Sequence, residues 1–170
     1  MSFEIITKFE HEIAKWYGSP FAIAVDCCTH AIELCLRYQN IKHYTVPKRT
    51  YISVPFLANK LGITFDWREE DWKDYYYLGG TNIIDAAVLW KENSYISNTF
   101  MCVSFQFRKH LSLGRGGIIL TDSKKDVIML KKMSYDAKLG LDKLSVAKKT
   151  KPKQWTVNDW PDLTKMKVFK

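Results

Sequence analysis

The sequence predicts an α/β fold, a three-layer sandwich in which helices cover a mostly parallel sheet. Short apolar runs typical of buried strands alternate along the chain with segments whose apolar residues recur at helical spacing. Strands that alternate with helices are typical of layered domains built on a parallel sheet. The chain has 170 residues, of which 46% are hydrophobic, which is enough for one packed domain and too little for two sizeable ones.

Four helices are predicted from the spacing of apolar residues. The first places Phe9, Ile13 and Trp16 on one face and is followed by Gly18, which is typical of a helix end. In chain order, the predicted helices span residues 2–16, 31–38, 51–61 and 125–135.

Six strands are predicted from short runs of apolar residues. In chain order, they span residues 21–25, 43–46, 63–65, 82–84, 100–105 and 117–121. Sheets of this class bind their ligands beyond the carboxyl ends of the strands. Asp85 and Ser104 stand at two such ends, so we expect functional residues to gather there.

The net charge of +8 belongs entirely to the last third of the chain. From residue 123 onward there are thirteen lysines and five aspartates, and Pro152 and Pro161 interrupt any helix. We therefore expect an α/β domain over residues 1–136 and a basic arm over residues 137–170, partly ordered or packed on a partner subunit. The arm could bind an anionic nucleotide-sugar, nucleic acid or nothing; lysines without interleaved arginines make nucleic acid the weakest of these interpretations.

The cysteines and the apolar runs argue against a metal site and a membrane span. The four cysteines, at positions 27, 28, 35 and 102, lack the spacing of zinc ligands, so we predict no metal site and reduced thiols. No apolar run approaches the length that spans a bilayer, and residues 1–10 carry acids where a signal peptide needs an apolar core. We therefore expect a cytoplasmic protein with no membrane partner.

The segment from Ser104 to Gly117 is the most informative motif of the chain. A strand that ends at Ser104 presents a hydroxyl at the sheet edge, and the loop after it returns the Lys109 amine toward the same point. A hydroxyl and an amine at one point suit a phosphate and an aldehyde on one small ring. A solvated lysine in a basic loop is the alternative.

This segment and three others resemble, in the same chain order, the DegT/DnrJ/StrS sugar aminotransferases, from about Phe9 to Asp122. The resemblance implies a shortened large domain of the pyridoxal-phosphate fold type I aminotransferases. Family members are much longer. Only a few residues separate Gly80 from Asp85, where the family has a further helix and strand, and we expect the small C-terminal domain that closes over the substrate to be lacking.

The resemblance also implies the cofactor, the substrates and the partner. Pyridoxal 5'-phosphate is the cofactor, a keto group on a nucleotide-linked sugar is the amino acceptor, and glutamate is the amino donor. A homodimer is implied because the family's sites lie between subunits.

Two residues carry the chemistry that the resemblance implies. Lys109 is the catalytic lysine, to which the cofactor attaches and which then acts as acid and base; the five-residue step from Ser104 selects it over His110. Asp85 is the carboxylate beside the ring nitrogen, and Val88 replaces the histidine usual after it. A turn or capping aspartate is the alternative for Asp85.

The remaining implied residues bind the cofactor's phosphate and ring. Thr29 keeps the hydroxyl of the family's phosphate-binding turn, Cys28 takes its glycine position, and Ser104 completes the phosphate cup. Tyr51 stands where an aromatic residue stacks on the ring, and Asn158 where an asparagine reaches the phosphate of the partner subunit. Helix capping is the alternative for Thr29, and a core or helix-start position is the alternative for Tyr51.

The sequence therefore predicts a pyridoxal-phosphate-dependent sugar aminotransferase-like protein. The alternative is a catalytically weak or inactive homologue that binds the cofactor, a nucleotide-sugar or a partner protein. Loss of the domain that orients the substrate and excludes water would favour that alternative.

Overall fold

The computed structural model describes residues 4–134, which form four helices and seven strands. The helices are α1 (Glu4–Tyr17), α2 (Cys28–Tyr38), α3 (Ser53–Leu61) and α4 (Lys124–Ser134). The strands are β1 (Phe21–Val25), β2 (His43–Pro47), β3 (Thr64–Arg68), β4 (Tyr76–Tyr77), β5 (Ile83–Asp85), β6 (Phe100–Ser104) and β7 (Gly117–Thr121). Every predicted helix and strand is present, and β4 is an additional strand that the sequence did not predict. The predicted arm over residues 137–170 lies outside the described residues.

The main sheet is mixed, so the α/β prediction is confirmed while the mostly parallel sheet is corrected. Its strand order is β1-β7-β6-β5-β4, and among its described pairs only β5–β6 is parallel. Strands β2 and β3 form a separate parallel pair. Parallel neighbours need a long crossover, usually a helix, whereas the loops at residues 78–82 and 105–116 return directly and contain no helix. Those two loops therefore make antiparallel pairs.

Helices cover both faces of the main sheet. Alternate residues of β6 enter two different apolar clusters: Phe100 and Cys102 belong to one, Met101 and Val103 to the other. Helices α2, α3 and α4 contribute to the first cluster, and α1 contributes to the second. The sheet is therefore the middle of three layers. Within residues 4–134, no helix has the length and apolar character to cross a membrane.

The short connection between β4 and β5 is a hairpin turn. Gly80 adopts φ +81° there, a left-handed conformation that favours glycine, and the Leu78 N–H donates to the Ile83 carbonyl (2.8 Å). The turn pairs Tyr76 with Asp85. A hairpin thus occupies the place where the resemblance implies a further helix and strand.

Candidate functional site

The sheet topology brings four chain segments to one edge. Strands β5 and β6 are parallel, so Asp85 and Ser104 lie at the same end of the sheet. Strand β7 runs the opposite way and starts there, because Gly117 pairs with both Ser104 and Val25. Just beyond β1, Cys27 forms a bridge with Gly116. The turn before α2, the end of β5 and the loop after β6 therefore surround one point.

A pocket of about 500 Å³ lies at this edge. It is lined by all the predicted site residues within residues 4–134: Cys28, Thr29, Tyr51, Asp85, Ser104 and Lys109. The volume lies within the range of small-molecule sites. Asn158, the remaining predicted site residue, falls outside the described residues.

Asp85 is the buried acid of the pocket, with a side chain that is 6% exposed. Its Oδ1 accepts from the Ala87 N–H (3.0 Å) and its Oδ2 accepts from the Tyr76 hydroxyl (2.6 Å). Burial raises the pKa of the Asp85 carboxyl above its ordinary value, and these two hydrogen bonds and the nearby Lys109 charge partly oppose that rise. The capping alternative holds in part, since the Ala87 N–H is a local partner, but the carboxyl also lines the pocket.

Replacing Asp85 with asparagine should stabilise the ligand-free protein at neutral pH. The pKa of the Asp85 carboxyl is higher in the folded than in the unfolded protein, so the folded state releases this proton at a higher pH. The contribution of Asp85 to the free energy of unfolding therefore falls as the pH rises from the unfolded pKa through the folded pKa. D85N should remove that fall and add about 1 kcal/mol at neutral pH. Urea denaturation across mildly acid to neutral pH measures both effects.

The matched control is D74N, at an exposed aspartate away from the pocket. It should change the free energy of unfolding by less than about 0.5 kcal/mol. A D85N protein that is less stable than the wild type at neutral pH, with an unchanged pH profile, would contradict the expected cost of the buried carboxyl.

Tyr76 is a site residue that the sequence analysis missed. It is buried and lines the pocket, and its hydroxyl contacts both Asp85 and Thr50. The signal was the pair Gly79-Gly80 between two apolar segments, which is typical of a hairpin turn. A predicted hairpin would have placed Tyr76 opposite Asp85.

Lys109 lies in a tight loop between β6 and β7. The Lys109 N–H donates to the Gln106 carbonyl (2.9 Å), and the Leu113 N–H donates to the Phe105 carbonyl (2.9 Å). The side chain is half-buried, and its charge acts on the Asp85 and Cys28 groups across the pocket. The loop therefore returns the Lys109 side chain toward the Ser104 end of β6, and both residues line the pocket.

The start of α2 forms the wall of hydroxyls and backbone N–H groups. Cys27 is the N-cap, and its Sγ accepts from the His30 N–H (3.5 Å), so the capping alternative for Thr29 is not what the structure shows. The Thr29 hydroxyl instead lies 2.7 Å from the Ser53 hydroxyl at the start of α3. Ser53 also lines the pocket and was missed by the sequence analysis. A helix N-terminus with two adjacent hydroxyls is suited to an anion.

Cys28 has no need of the glycine that the family carries at its position. It begins α2 without a positive φ. Burial, followed by the nearby Asp85 charge, raises the pKa of the Cys28 thiol well above its ordinary value. The Cys28 thiol is therefore buried and neutral where it lines the pocket.

A charged cluster of Asp26, His30 and Arg115 lies beside the pocket, and of these three residues Arg115 lines it. The Asp26 carboxylate pairs with the His30 ring and with the Arg115 guanidinium (2.7 Å). Burial acts against it, but the hydrogen bonds from His30 and Arg115 lower the pKa of Asp26. Asp26, Cys27 and His30 bring three possible metal ligands within 4.8 Å of one another, a grouping that the sequence analysis did not anticipate. Both carboxylate oxygens of Asp26 are already paired, which disfavours a cation there.

Tyr51 lies on the exposed rim of the pocket. Its side chain is 67% exposed, and Phe107 on the other side of the pocket is 60% exposed. Tyr51 is not a core residue; it directly precedes the Ile52 N-cap of α3, so the helix-start alternative describes its position, and its side chain also lines the pocket. Val88, at the position where the family usually has histidine, also lines the pocket.

The residues of the pocket fit pyridoxal phosphate. The cofactor needs a carboxylate beside the ring nitrogen, an amine for its aldehyde and an anion site for its phosphate. Asp85, Lys109 and the α2 N-terminus supply these groups within one pocket, and the buried Asp85 carboxyl is a group that a cationic ring would compensate. The arrangement can therefore bind the cofactor and move a proton beside it.

The fold is similar to that of solved aminotransferase structures. S. venezuelae DesV is similar with a TM-score of 0.66 at 17% identity, over 85% of this chain and 50% of DesV. DesI, solved in the presence of its TDP-sugar product, gives 0.64 at 14% identity, over 80% and 46%. 3-Amino-5-hydroxybenzoic acid synthase gives 0.60 at 21% identity, over 77% and 46%. The chain spans about half the length of these structures.

A family model matches part of the sequence. Residues 2–66 match the model of the DegT/DnrJ/EryC1/StrS aminotransferase family, which confirms the predicted resemblance over that part of the chain. The matched residues include the α2 start and Tyr51 but not Asp85 or Lys109. No curated protein matches the chain.

Proposed function

We propose that this protein is a pyridoxal-phosphate-dependent aminotransferase of the sugar-aminotransferase type. The observation that carries the proposal is the convergence of Asp85, Lys109 and the Thr29 turn on one pocket, although they come from distant parts of the chain. These residue types meet the three separate requirements of the cofactor, and the fold is similar to that of a Bacillus cereus protein described as a PLP-dependent aminotransferase.

Each residue has a distinct task in the proposed reaction. When bound, pyridoxal phosphate supplies an electron sink for the bonds of the substrate carbon that carries nitrogen. The Lys109 amine would hold the cofactor and would be the acid and base that moves the proton of that carbon. Asp85 stabilises positive charge on the ring nitrogen. The hydroxyls of Thr29 and Ser104 bind the phosphate, and the Tyr51 ring shields one face of the cofactor from water.

The proposed substrates are a nucleotide-linked keto-sugar and glutamate. The similar protein DesI was solved in the presence of its TDP-sugar product, which supports a substrate of this class. Arg115 at the pocket rim offers a cation for an anionic substrate, and most of its side chain is exposed. Both substrates are inferred from the family resemblance, and the chain spans about half the length of its structural neighbours.

A homodimer is proposed because several large apolar side chains at and near the pocket are exposed within the described residues. Tyr51, Ile52 and Phe56 at α3 and Phe107 across the pocket all expose large side chains. A contiguous exposed apolar patch beside a site is typical of a protein interface. A second copy would cover this rim and exclude water from the reaction.

Half-transamination tests the proposal. Protein loaded with pyridoxal phosphate and mixed with glutamate alone should release 2-oxoglutarate in proportion to the protein, and the absorbance of the bound cofactor should change to that of the amine form. Sedimentation of the same sample should show a dimer. If the protein is a monomer and still reacts, the proposed dimer is wrong and the proposed reaction is not affected. Bound cofactor without 2-oxoglutarate would favour the alternative of a catalytically inactive binding protein. Absence of any cofactor binding would overturn the proposed function.

A further inference from the structure

The Tyr76 hydroxyl joins the pocket acid to the loop before α3. It donates to Asp85 Oδ2 (2.6 Å), and its oxygen also contacts the Thr50 hydroxyl. A phenol has one proton, so when Tyr76 donates to Asp85, Thr50 must donate to Tyr76. The result is a directed chain from Thr50 through Tyr76 to Asp85, in which each bond strengthens the next.

The position of Tyr76 is fixed from several directions. Strand pairing places it directly opposite Asp85, and its side chain is 2% exposed. The Trp72 ring packs on it with centroids 4.9 Å apart, and the Trp72 Nε1–H donates to the Arg49 carbonyl (3.0 Å). Burial and the adjacent carboxylate raise the pKa of Tyr76, so the hydroxyl keeps its proton and acts on Asp85 as a donor.

We propose that Tyr76 is a positioning residue that holds the Asp85 carboxylate ionised and oriented for the ring nitrogen of the cofactor. The inference rests on the proposed function. Tyr76 and the Ala87 N–H occupy one oxygen each, so the plane of the carboxylate is fixed from both sides. A hydrogen bond donated to a carboxylate favours its charged form, whereas burial of Asp85 favours the neutral form. Without the Tyr76 hydroxyl, burial should raise the pKa of Asp85 further.

The first test uses the ligand-free protein, with no dependence on activity. Carboxyl ¹³C NMR should show that Y76F raises the pKa of Asp85, because one donor to the charged form is lost. The titratable groups that face Asp85 are Tyr76, Lys109, Cys28 and Cys102, and Y76F removes only the first. The control is Y38F, which deletes a similar bond from Tyr38 to Asp126 (2.7 Å) away from the pocket. The Y38F control should leave the pKa of Asp85 unchanged. If Y76F also leaves the pKa of Asp85 unchanged, the inference is overturned.

The second test separates the ring nitrogen from the shape of the pocket. Two ligands are compared: pyridoxal phosphate and its carbon analogue, in which CH replaces the ring nitrogen. Tryptophan fluorescence measures the binding of each, since Trp72 lines the pocket. Y76F should weaken pyridoxal phosphate about tenfold, as expected for one hydrogen bond to a charged group, and leave the analogue's Kd unchanged. Equal losses for both ligands would show that Tyr76 only shapes the pocket and would overturn the inference.

Two further results keep the inference distinct from the proposed function. If the wild-type protein binds neither ligand, both the proposed function and the cofactor role of Tyr76 are wrong. The NMR titration still tests whether Tyr76 favours the ionised form of Asp85. If Y76F does not fold, T50V is the second variant. It deletes the hydroxyl that donates to Tyr76 and should also raise the pKa of Asp85, by a smaller amount than Y76F. An unchanged Asp85 titration in T50V would then overturn the inference.

Discussion

Replacing Lys109 with arginine should abolish covalent attachment of pyridoxal phosphate to this protein. Only an amine that can lose its proton attacks the aldehyde, and a guanidinium does not deprotonate in proteins. Arginine nevertheless keeps a positive charge near Asp85 and Cys28, the two groups on which the Lys109 charge acts. K109R therefore removes the nucleophile and leaves the electrostatics of the pocket largely in place.

Borohydride reduction followed by peptide mass analysis measures the attachment. The wild-type protein should carry the reduced cofactor on the peptide that contains Lys109, and K109R should carry none. The matched control is K125R, at an exposed lysine of α4 that does not line the pocket, and it should label as the wild type does. Label that persists in K109R on another lysine would show that the loop after β6 is not the site of attachment, and the assignment of Lys109 would be wrong.

The sequence predicted the elements of the fold better than their directions. β1 and β7 were predicted with the bounds that the structure shows, because each is a short buried apolar run between turn residues. Strand direction depends on how connections fold back, and the periodicity of a strand carries no information about it. The sequence analysis therefore predicted a mostly parallel sheet, whereas β6 and β7 pair antiparallel.

The candidate site shows the same division. Lys109, Asp85 and Thr29 were predicted from the family resemblance, and all three line one pocket. Tyr76 was missed because its role comes from cross-strand pairing with Asp85, which no local motif records. Ser53 was missed for a similar reason, since its hydroxyl meets Thr29 only when α3 packs beside α2. Contacts between elements are thus the part that local patterns do not predict.

Gly117 leaves room for the turn before α2 to lie against β7. Cys28 stands at the glycine position that the resemblance implies, and the backbone there lies close to Gly117. The space for that approach comes from Gly117 at the start of β7. A Cβ at Gly117 would lie 2.5 Å from both the Cys27 carbonyl carbon and the Cys28 nitrogen. Glycine is therefore needed on β7 so that the turn can reach the pocket.

The substitution G117A should accordingly be strongly destabilising. The clashing atoms belong to backbone that is paired in the sheet and capped at α2, so neither side can yield cheaply, and a loss of about 3 kcal/mol in the free energy of unfolding is expected. The turn that bears Thr29 should also shift, which weakens pyridoxal phosphate binding in whatever protein remains folded.

Urea denaturation and fluorescence titration measure the two effects of G117A. The control is G62A at the end of α3, where φ is +64° and no atom lies within 4 Å of the added Cβ. It should cost only about 1 kcal/mol, from backbone strain alone, and leave cofactor affinity unchanged. If G117A costs no more than G62A, the α2 turn does not depend on close packing against β7, and the pocket must be held open by other contacts.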